Sequence, residues 1–282
     1  MKIGFCMLLW TTHVTDAHRP IIEDIKATGY DGIEVPIFEG TPDHYAKLGR
    51  WLDEIGLERT SVTVIPSLDK SPLSDDPAAR KAAVDYLDWC LECSEALGSH
   101  LICGPIHSPL GHFTGSGPTD VEKARGRDFH VAVGEIAGKK DIALAIEAVN
   151  RFECYFVNTM EDLNAYLDMV DHPAVGALYD TFHANIEEKD AVAAFQTIRP
   201  HVKHIHITEN DRGVPGRGHV PWPETYRAIK QSGYDGWLTI EAFGRALPDL
   251  AAATRVWRDF AESPEAVYRE GFRAIQEGWR RG

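Results

Sequence analysis

The sequence predicts a (β/α)8 barrel, and three observations carry that prediction. Eight short apolar runs, at 2–6, 33–35, 60–65, 100–103, 142–147, 175–179, 203–208 and 237–241, alternate with stretches of helical periodicity. Strands that alternate with helices pair in parallel through right-handed crossovers, and eight such units close on themselves. The length of 282 residues suits one barrel domain spanning 1–282, since barrels of this kind commonly take about 250. No linker, low-complexity tract or heptad repeat divides the chain.

The elements follow in order. Residues 3–10 (Ile-Gly-Phe-Cys-Met-Leu-Leu-Trp) come after Lys2 and lack a small-residue cleavage site. They are too few to span a bilayer, so they read as a first strand rather than a leader, and the expected location is the cytoplasm. The second and eighth strands share a lead-in: Gly29-Tyr30-Asp31-Gly32 before Ile33-Glu34-Val35, and Gly233-Tyr234-Asp235-Gly236 before Trp237-Leu238-Thr239-Ile240-Glu241. In each the first glycine stops a helix in the left-handed conformation and the apolar residues open a strand, at the barrel's non-catalytic end. The helical stretch 78–97 carries Cys90 and Cys93, which lack a second Cys or His pair at finger spacing and read as packing residues. Loops 66–76, 104–118 and 209–221, which follow strands and are rich in Pro, Gly, Ser and Asp, are the candidates for the active face. A final helix over 264–279 is expected to close the barrel floor or side, or to meet a second subunit.

Composition removes some functions. The chain has 29 basic against 43 acidic residues, a net charge of −14, where a nucleic-acid partner calls for a basic face. Five cysteines, odd in number and scattered, suit reduced thiols better than a disulfide framework. His13, His18, His107 and His112 show no helix-spaced pairing with a carboxylate and read as surface or loop residues.

Four consecutive strands end in a hard-metal ligand: Glu147, Asp180, His206 and Glu241, spaced 33, 26 and 35 residues apart, each about one strand-helix unit. All four can therefore converge on the C-terminal mouth. Residues 142–146 (Ile-Ala-Leu-Ala-Ile) form a strand buried on both faces, so Glu147 arrives without a polar neighbour and requires a cation. Three carboxylates and an imidazole suit Mn²⁺, Mg²⁺ or Co²⁺ rather than a structural zinc. Singly, Asp180 could cap the next helix, His206 could be a core histidine and either glutamate a salt-bridge partner. The common register at successive strand ends favours the metal site.

The segments Glu147-Ala148-Val149-Asn150-Arg151-Phe152-Glu153, Asp180-Thr181-Phe182-His183-Ala184-Asn185-Ile186-Glu187-Glu188 and His204-Ile205-His206-Ile207-Thr208-Glu209-Asn210-Asp211-Arg212 resemble those of the D-tagatose/D-psicose (D-allulose) 3-epimerases, of the xylose-isomerase-like barrels. The likeness extends to Pro221-Trp222, Ile240-Glu241-Ala242-Phe243 and Val256-Trp257-Arg258-Asp259. It implies that Glu147, Asp180, His206 and Glu241 ligate a divalent metal, Mn²⁺ first, with Glu147 and Glu241 doubling as the acid/base pair. It also implies that Glu153, His183 and Arg212 bind substrate, and that the chain forms a homodimer or homotetramer. A divalent ion at ketose O2 and O3 acidifies the C3–H, and two carboxylates can then remove and return the proton from opposite faces.

The resemblance thins at Cys6, Val14 and 108–113 (Ser-Pro-Leu-Gly-His-Phe), where the family carries aromatic residues. Trp10, Ile65, His107, Phe113 and Phe243 are expected to line the remodelled pocket over the distal carbons, with core packing the alternative for Trp10 and Ile65. Competing functions on the same metal site are an aldose–ketose or hydroxypyruvate-type isomerase and a keto-sugar lyase. A barrel that binds a sugar without turnover would have no use for both Glu147 and Glu241. No glycine-rich phosphate loop is evident, so the expected substrate is a free sugar.

Overall fold

A short buried strand can satisfy its backbone only against other strands, and eight of them do so here in a ring. The computed structural model describes residues 1–282. The strands and helices run β1 (Lys2–Cys6), α1 (Arg19–Thr28), β2 (Gly32–Pro36), α2 (Pro42–Ile55), β3 (Glu58–Val62), α3 (Pro77–Leu97), β4 (Leu101–Gly104), α4 (Asp120–Lys139), β5 (Ala143–Glu147) and α5 (Met160–Val170). They continue with β6 (Val175–Asp180), α6 (Thr181–Glu187), α7 (Ala191–Ile198), β7 (Val202–Ile207), α8 (Trp222–Gln231), β8 (Trp237–Ile240), α9 (Pro248–Ala253) and α10 (Pro264–Arg281). All neighbours pair in parallel in chain order, and β8 returns to β1 to close the barrel.

Helix starts are set locally. Thr41, Asp76, Thr159, Asp190 and Ser263 each accept a backbone N–H of the first turn, and Thr119 forms a reciprocal box with Glu122. The apolar core lies mainly between the strands and the helices. A smaller cluster of Cys6, Val62, Cys103, Ala145 and Leu178 fills the barrel interior.

Most strand ends shift by a residue from the expected ranges, residues 7–9 form a 3₁₀ turn rather than continuing the first strand, and the third strand and last helix differ further. The third strand begins at polar Glu58 and Arg59, which pair with Gly32 and Ile33, and it ends at Val62. Arg59 is accommodated there because its guanidinium donates to the Leu97 carbonyl and pairs with Asp53, while Ile65 leaves the sheet to make a lone bridge with Pro109. The last helix extends through Arg281 and covers the side of the barrel, between α8 and α1 over the β8–β1 seam. Phe272 on that helix packs on Gly29, which caps α1 at φ +116° where a Cβ would fall 2.7 Å from the ring. Cys90 and Cys93 are buried on α3, and all five cysteines are free.

Gly104 ends β4 at φ +125°, with a Cβ position only 2.2 Å from the Thr63 carbonyl oxygen. Gly104→Ala therefore combines left-handed strain with overpacking and should destabilise by about 2–3 kcal/mol. Calorimetry should find the Tm lowered by roughly 3–5 °C, and an unchanged Tm would refute this account of the β4 terminus.

Candidate metal and acid/base site

The parallel register that closes the barrel also sets the height of the strand ends. Glu147 is the last residue of β5, Asp180 the last of β6, His206 the penultimate residue of β7, and Glu241 follows β8 directly. One ligand atom from each of the four lies within 4.8 Å of the others, and all four residues are buried. His206 Nδ1 is 3.6 Å from both Asp180 Oδ2 and Glu241 Oε1. Asp180 divides its oxygens: Oδ1 caps α6 through the Phe182 and His183 amides, while Oδ2 accepts from Thr208 and faces His206. Capping and site formation are thus compatible uses of one carboxylate.

The cluster has the donor set and the unmet demand of a hard-cation site. His206 Nδ1 and Glu147 Oε1 are buried atoms with no hydrogen-bond partner, an arrangement that native interiors rarely tolerate. Burial, reinforced by Glu241 and Asp180, pushes the Glu147 carboxyl well above the usual range. Burial likewise pushes Glu241 up to about 7, with His206 and Arg212 opposing it. A divalent ion among these oxygens and Nδ1 would supply the missing charge, and the three-carboxylate, one-imidazole set fits Mn²⁺, Co²⁺ or Mg²⁺ by ligand type.

A second layer surrounds the four. His183 Nδ1 accepts the Asn150 backbone N–H at 3.0 Å. Burial lowers the His183 pKa to about 4, so the ring is neutral and carries its proton on Nε2. That nitrogen lies 3.4 Å from Glu147 Oε1 and 3.2 Å from an Arg212 nitrogen. Arg212, at φ +60°, spans Glu153 (3.3 Å) and Glu241 (3.5 Å) and is held between the Phe182 and Phe243 rings at 4.2 and 4.5 Å. It pairs with neither Glu209 nor Asp211: Glu209 receives the amides of Asn210, Gly216 and Val220 and the Trp222 indole N–H, and Asp211 receives Gly213 N–H. Glu153 and Arg212 also line a cavity of about 480 Å³ at the mouth, with Phe182, Val256 and Phe260.

The expected pocket residues fall in different places. Phe243 backs Arg212. His107 is buried beneath the β5 terminus, its Nε2 2.9 Å from the Glu147 carbonyl oxygen. Trp10 packs with Phe5 and Tyr268 on the α10 side of β1, and Ile65 is buried in the main core. Phe113 stands 45 % exposed on the loop after β4. Apolar residues that join the inner cluster from the mouth are Leu8, Phe38 and Val256, which the sequence reading did not single out. It also passed over Asn150, whose side chain donates to Glu153 at 2.8 Å, and Glu34, a fully buried carboxylate of β2. Burial acts to raise the Glu34 carboxyl, but the facing His206 and His204 imidazoles hold it well below the usual range. One signal pointed to Glu34: a charge inside a strand between Ile33 and Val35, the same anomaly that marks Glu147.

The family described as xylose isomerase-like TIM barrel matches residues 22–277. A probable ketose 3-epimerase from Synechocystis sp. is 31 % identical over 280 residues, 99 % of this chain and 97 % of the relative. A D-psicose 3-epimerase from Agrobacterium fabrum is 31 % identical over 268 residues, 93 % of this chain and 91 % of the relative. The crystal structure of a D-allulose 3-epimerase from Methylomonas sp. in complex with D-allulose superposes with a TM-score of 0.91 at 26 % identity, covering 98 % of this chain and 96 % of that one. No helix of the chain is long and apolar enough to cross a membrane. With the barrel, the strand-end cluster and full-length likeness in agreement, the chain belongs to the xylose isomerase-like TIM barrel family and, within it, to the ketose 3-epimerases, carbohydrate epimerases of the isomerase class.

Proposed function

We propose that this chain inverts C3 of a free keto-sugar, of the D-tagatose, D-fructose, D-allulose or L-ribulose type, with Glu147 and Glu241 as paired acid and base. One observation supports this reading above the others: two buried carboxyls of raised proton affinity meet beside Asp180 and His206, brought there by strands three places apart round the barrel. Inverting a carbon centre takes a proton from one face and returns one to the other, so a single base does not suffice. In one direction Glu147 accepts the C3 proton and Glu241 donates to the opposite face; in the reverse direction they exchange roles. Arg212 and the His183 Nε2–H supply hydrogen bonds for O1 and O2 as negative charge develops, and Glu153 accepts from a sugar hydroxyl.

Glu147, Asp180, His206 and Glu241 would hold a divalent ion, Mn²⁺ in preference to Co²⁺ or Mg²⁺, which when bound polarises the ketose carbonyl and acidifies C3–H. Phe243, stacked on Arg212, would wall the acid/base pair, and Phe113, exposed on the loop after β4, would cover the sugar's distal end. Trp10, Ile65 and His107 are assigned to packing around the strand ends rather than to direct contact with the sugar. Phe152 and Trp257, 65 % and 66 % exposed near the mouth, suit a subunit contact in a homodimer or homotetramer. Five free, buried thiols suit the cytoplasm.

Solvent-deuterium exchange over a ketose panel with Mn²⁺ reads the reacting carbon directly. Label at C3 is expected, whereas label at C1 would reassign the chain to aldose–ketose isomerisation. Glu241→Gln should keep the fold, judged by its circular dichroism, and lose about 10²–10⁴ in kcat; wild-type turnover would remove Glu241 from its role.

Chelation gives a second test with a defined sign. Glu241 binds its proton more tightly folded than unfolded, so its contribution to metal-free stability is full below about pH 4.5 and is lost as the pH rises through about 7. Added Mn²⁺ competes with those protons, so the Mn²⁺-induced rise in Tm should be greater at pH 8 than at pH 5. An equal rise at both pH values would contradict carboxylate ligation.

A further inference from the structure

Beneath the four mouth residues the barrel interior holds a second polar cluster, built around Glu34. Its Oε1 lies 2.9 Å from His206 Nε2. Its Oε2 accepts from Thr60 Oγ1 at 3.0 Å and Cys103 Sγ at 3.1 Å, and lies 2.8 Å from His204 Nε2. All of these residues are buried. β2 and β7 are not neighbours in the sheet, so the Glu34–His206 contact crosses the barrel interior. An ionised carboxylate there is an acceptor only, and the groups facing it all have a proton to give.

The consequence falls on His206. A neutral imidazole, the form that ligates a cation, has a bare Nδ1 when its Nε2 gives its proton to Glu34, and Nδ1 is the atom left without a partner 3.6 Å from Asp180 and Glu241. We propose that Glu34 is a positioning residue for the metal centre: by accepting Nε2–H it fixes the tautomer and plane of His206, so that Nδ1 is presented to the cation. The inference rests on the reading of Glu147, Asp180, His206 and Glu241 as ligands and adds a fifth residue that touches neither metal nor sugar. A carboxylate behind a ligating imidazole also raises its basicity, and loss of such a partner typically weakens metal binding about 10–100-fold. Glutamine cannot replace Glu34. With its carbonyl toward His206, its NH₂ meets the Thr60, Cys103 and His204 donors; flipped, its NH₂ meets His206 and forces the proton to Nδ1.

The same cluster has a rival reading. Glu34, Cys103, His204 and His206 also lie within 4.8 Å of one another and include types that bind zinc. Thr60, Cys103 and His206 hydrogen-bond to Glu34 at 2.9–3.1 Å, as groups sharing one carboxylate do and ligands spread round an ion do not.

The test is Mn²⁺ titration of full-length, metal-stripped protein followed by electron paramagnetic resonance, comparing wild type, Glu34→Gln and Cys103→Ala. Wild type should bind one ion, Glu34→Gln should bind it about 10–100-fold more weakly, and Cys103→Ala should match wild type in stoichiometry with a Kd within about twofold. Half-activation by Mn²⁺ should rise with the Kd of Glu34→Gln while the sugar KM at saturating Mn²⁺ stays put, a split that general loss of stability does not produce. An unchanged Kd in Glu34→Gln overturns the positioning role alone. Absence of Mn²⁺ binding by wild type overturns the ligand assignment and with it this inference. A second equivalent of Mn²⁺ or Zn²⁺ that disappears in Cys103→Ala assigns the inner cluster to a metal of its own and likewise overturns the proposal. If Glu34→Gln does not fold, nitrogen-15 histidine spectra of Mg²⁺-loaded wild type decide: a proton on Nε2 of His206 supports the role, and one on Nδ1 rejects it.

Discussion

Carboxylates crowd the dry mouth of this barrel faster than the chain supplies cations to neutralise them, and the rest of the site is arranged around that imbalance. Glu147, Asp180, Glu241 and Glu153 are all buried there, and the cation set among them is Arg212. An unpaired buried carboxylate costs several kcal/mol, so Arg212 must be placed with little freedom. It is held at φ +60° between two aromatic rings, a conformation that costs about 1–3 kcal/mol at a residue other than glycine. The loop can hold it because Glu209 gathers three loop amides and an indole N–H onto one carboxylate. Strain at Arg212 is thus met by hydrogen bonds a few residues away. One guanidinium still cannot balance the oxygens, and the unpartnered Glu147 Oε1 and His206 Nδ1 mark where a divalent charge belongs.

Orientation is inherited from the backbone outward. The Asn150 amide, fixed just beyond β5, sets the proton of His183 on Nε2, and the Asn150 side chain aims Glu153. Asp180 is locked by the N-terminus of the helix it begins. His183 and Glu153, which would meet substrate, are therefore both fixed by Asn150, which would not, so little reorganisation of these two is left for the reaction itself.

The fold and the four strand-end residues were legible in the sequence for one reason: both depend on periodicity. Residues 147, 180, 206 and 241 recur at the repeat of the strand-helix unit, and closure of the ring turns equal spacing into spatial convergence. What escaped depends on distance along the chain. Glu34 and His206 are 172 residues apart and meet only because they point inward at similar depth. Asn150 is one loop amide among several in the sequence, and only the fold brings its backbone N–H to 3.0 Å from His183. Trp10 reads as a pocket aromatic by position, yet it follows a 3₁₀ turn that carries it to the α10 side of β1. The early start of β3 was hidden because Glu58 and Arg59 look like loop residues, and only the sheet edge at the barrel floor, with Leu97 and Asp53 nearby, makes them a strand.

The barrel divides its labour by strand. β5 to β8 end in the groups assigned to chemistry, while β1 to β4 lead into loops, among them 108–113, proposed for the sugar's distal end. In a parallel barrel each strand end is held by its own ladder, so the loop after β4 can change beyond His107, which touches the Glu147 carbonyl, without moving Glu147 or Glu241. Glu34 is the exception. Its strand belongs to the half proposed for the distal end, yet its carboxylate reaches through the interior to the imidazole of the reacting half. A change of charge inside β2 therefore reaches His206 directly.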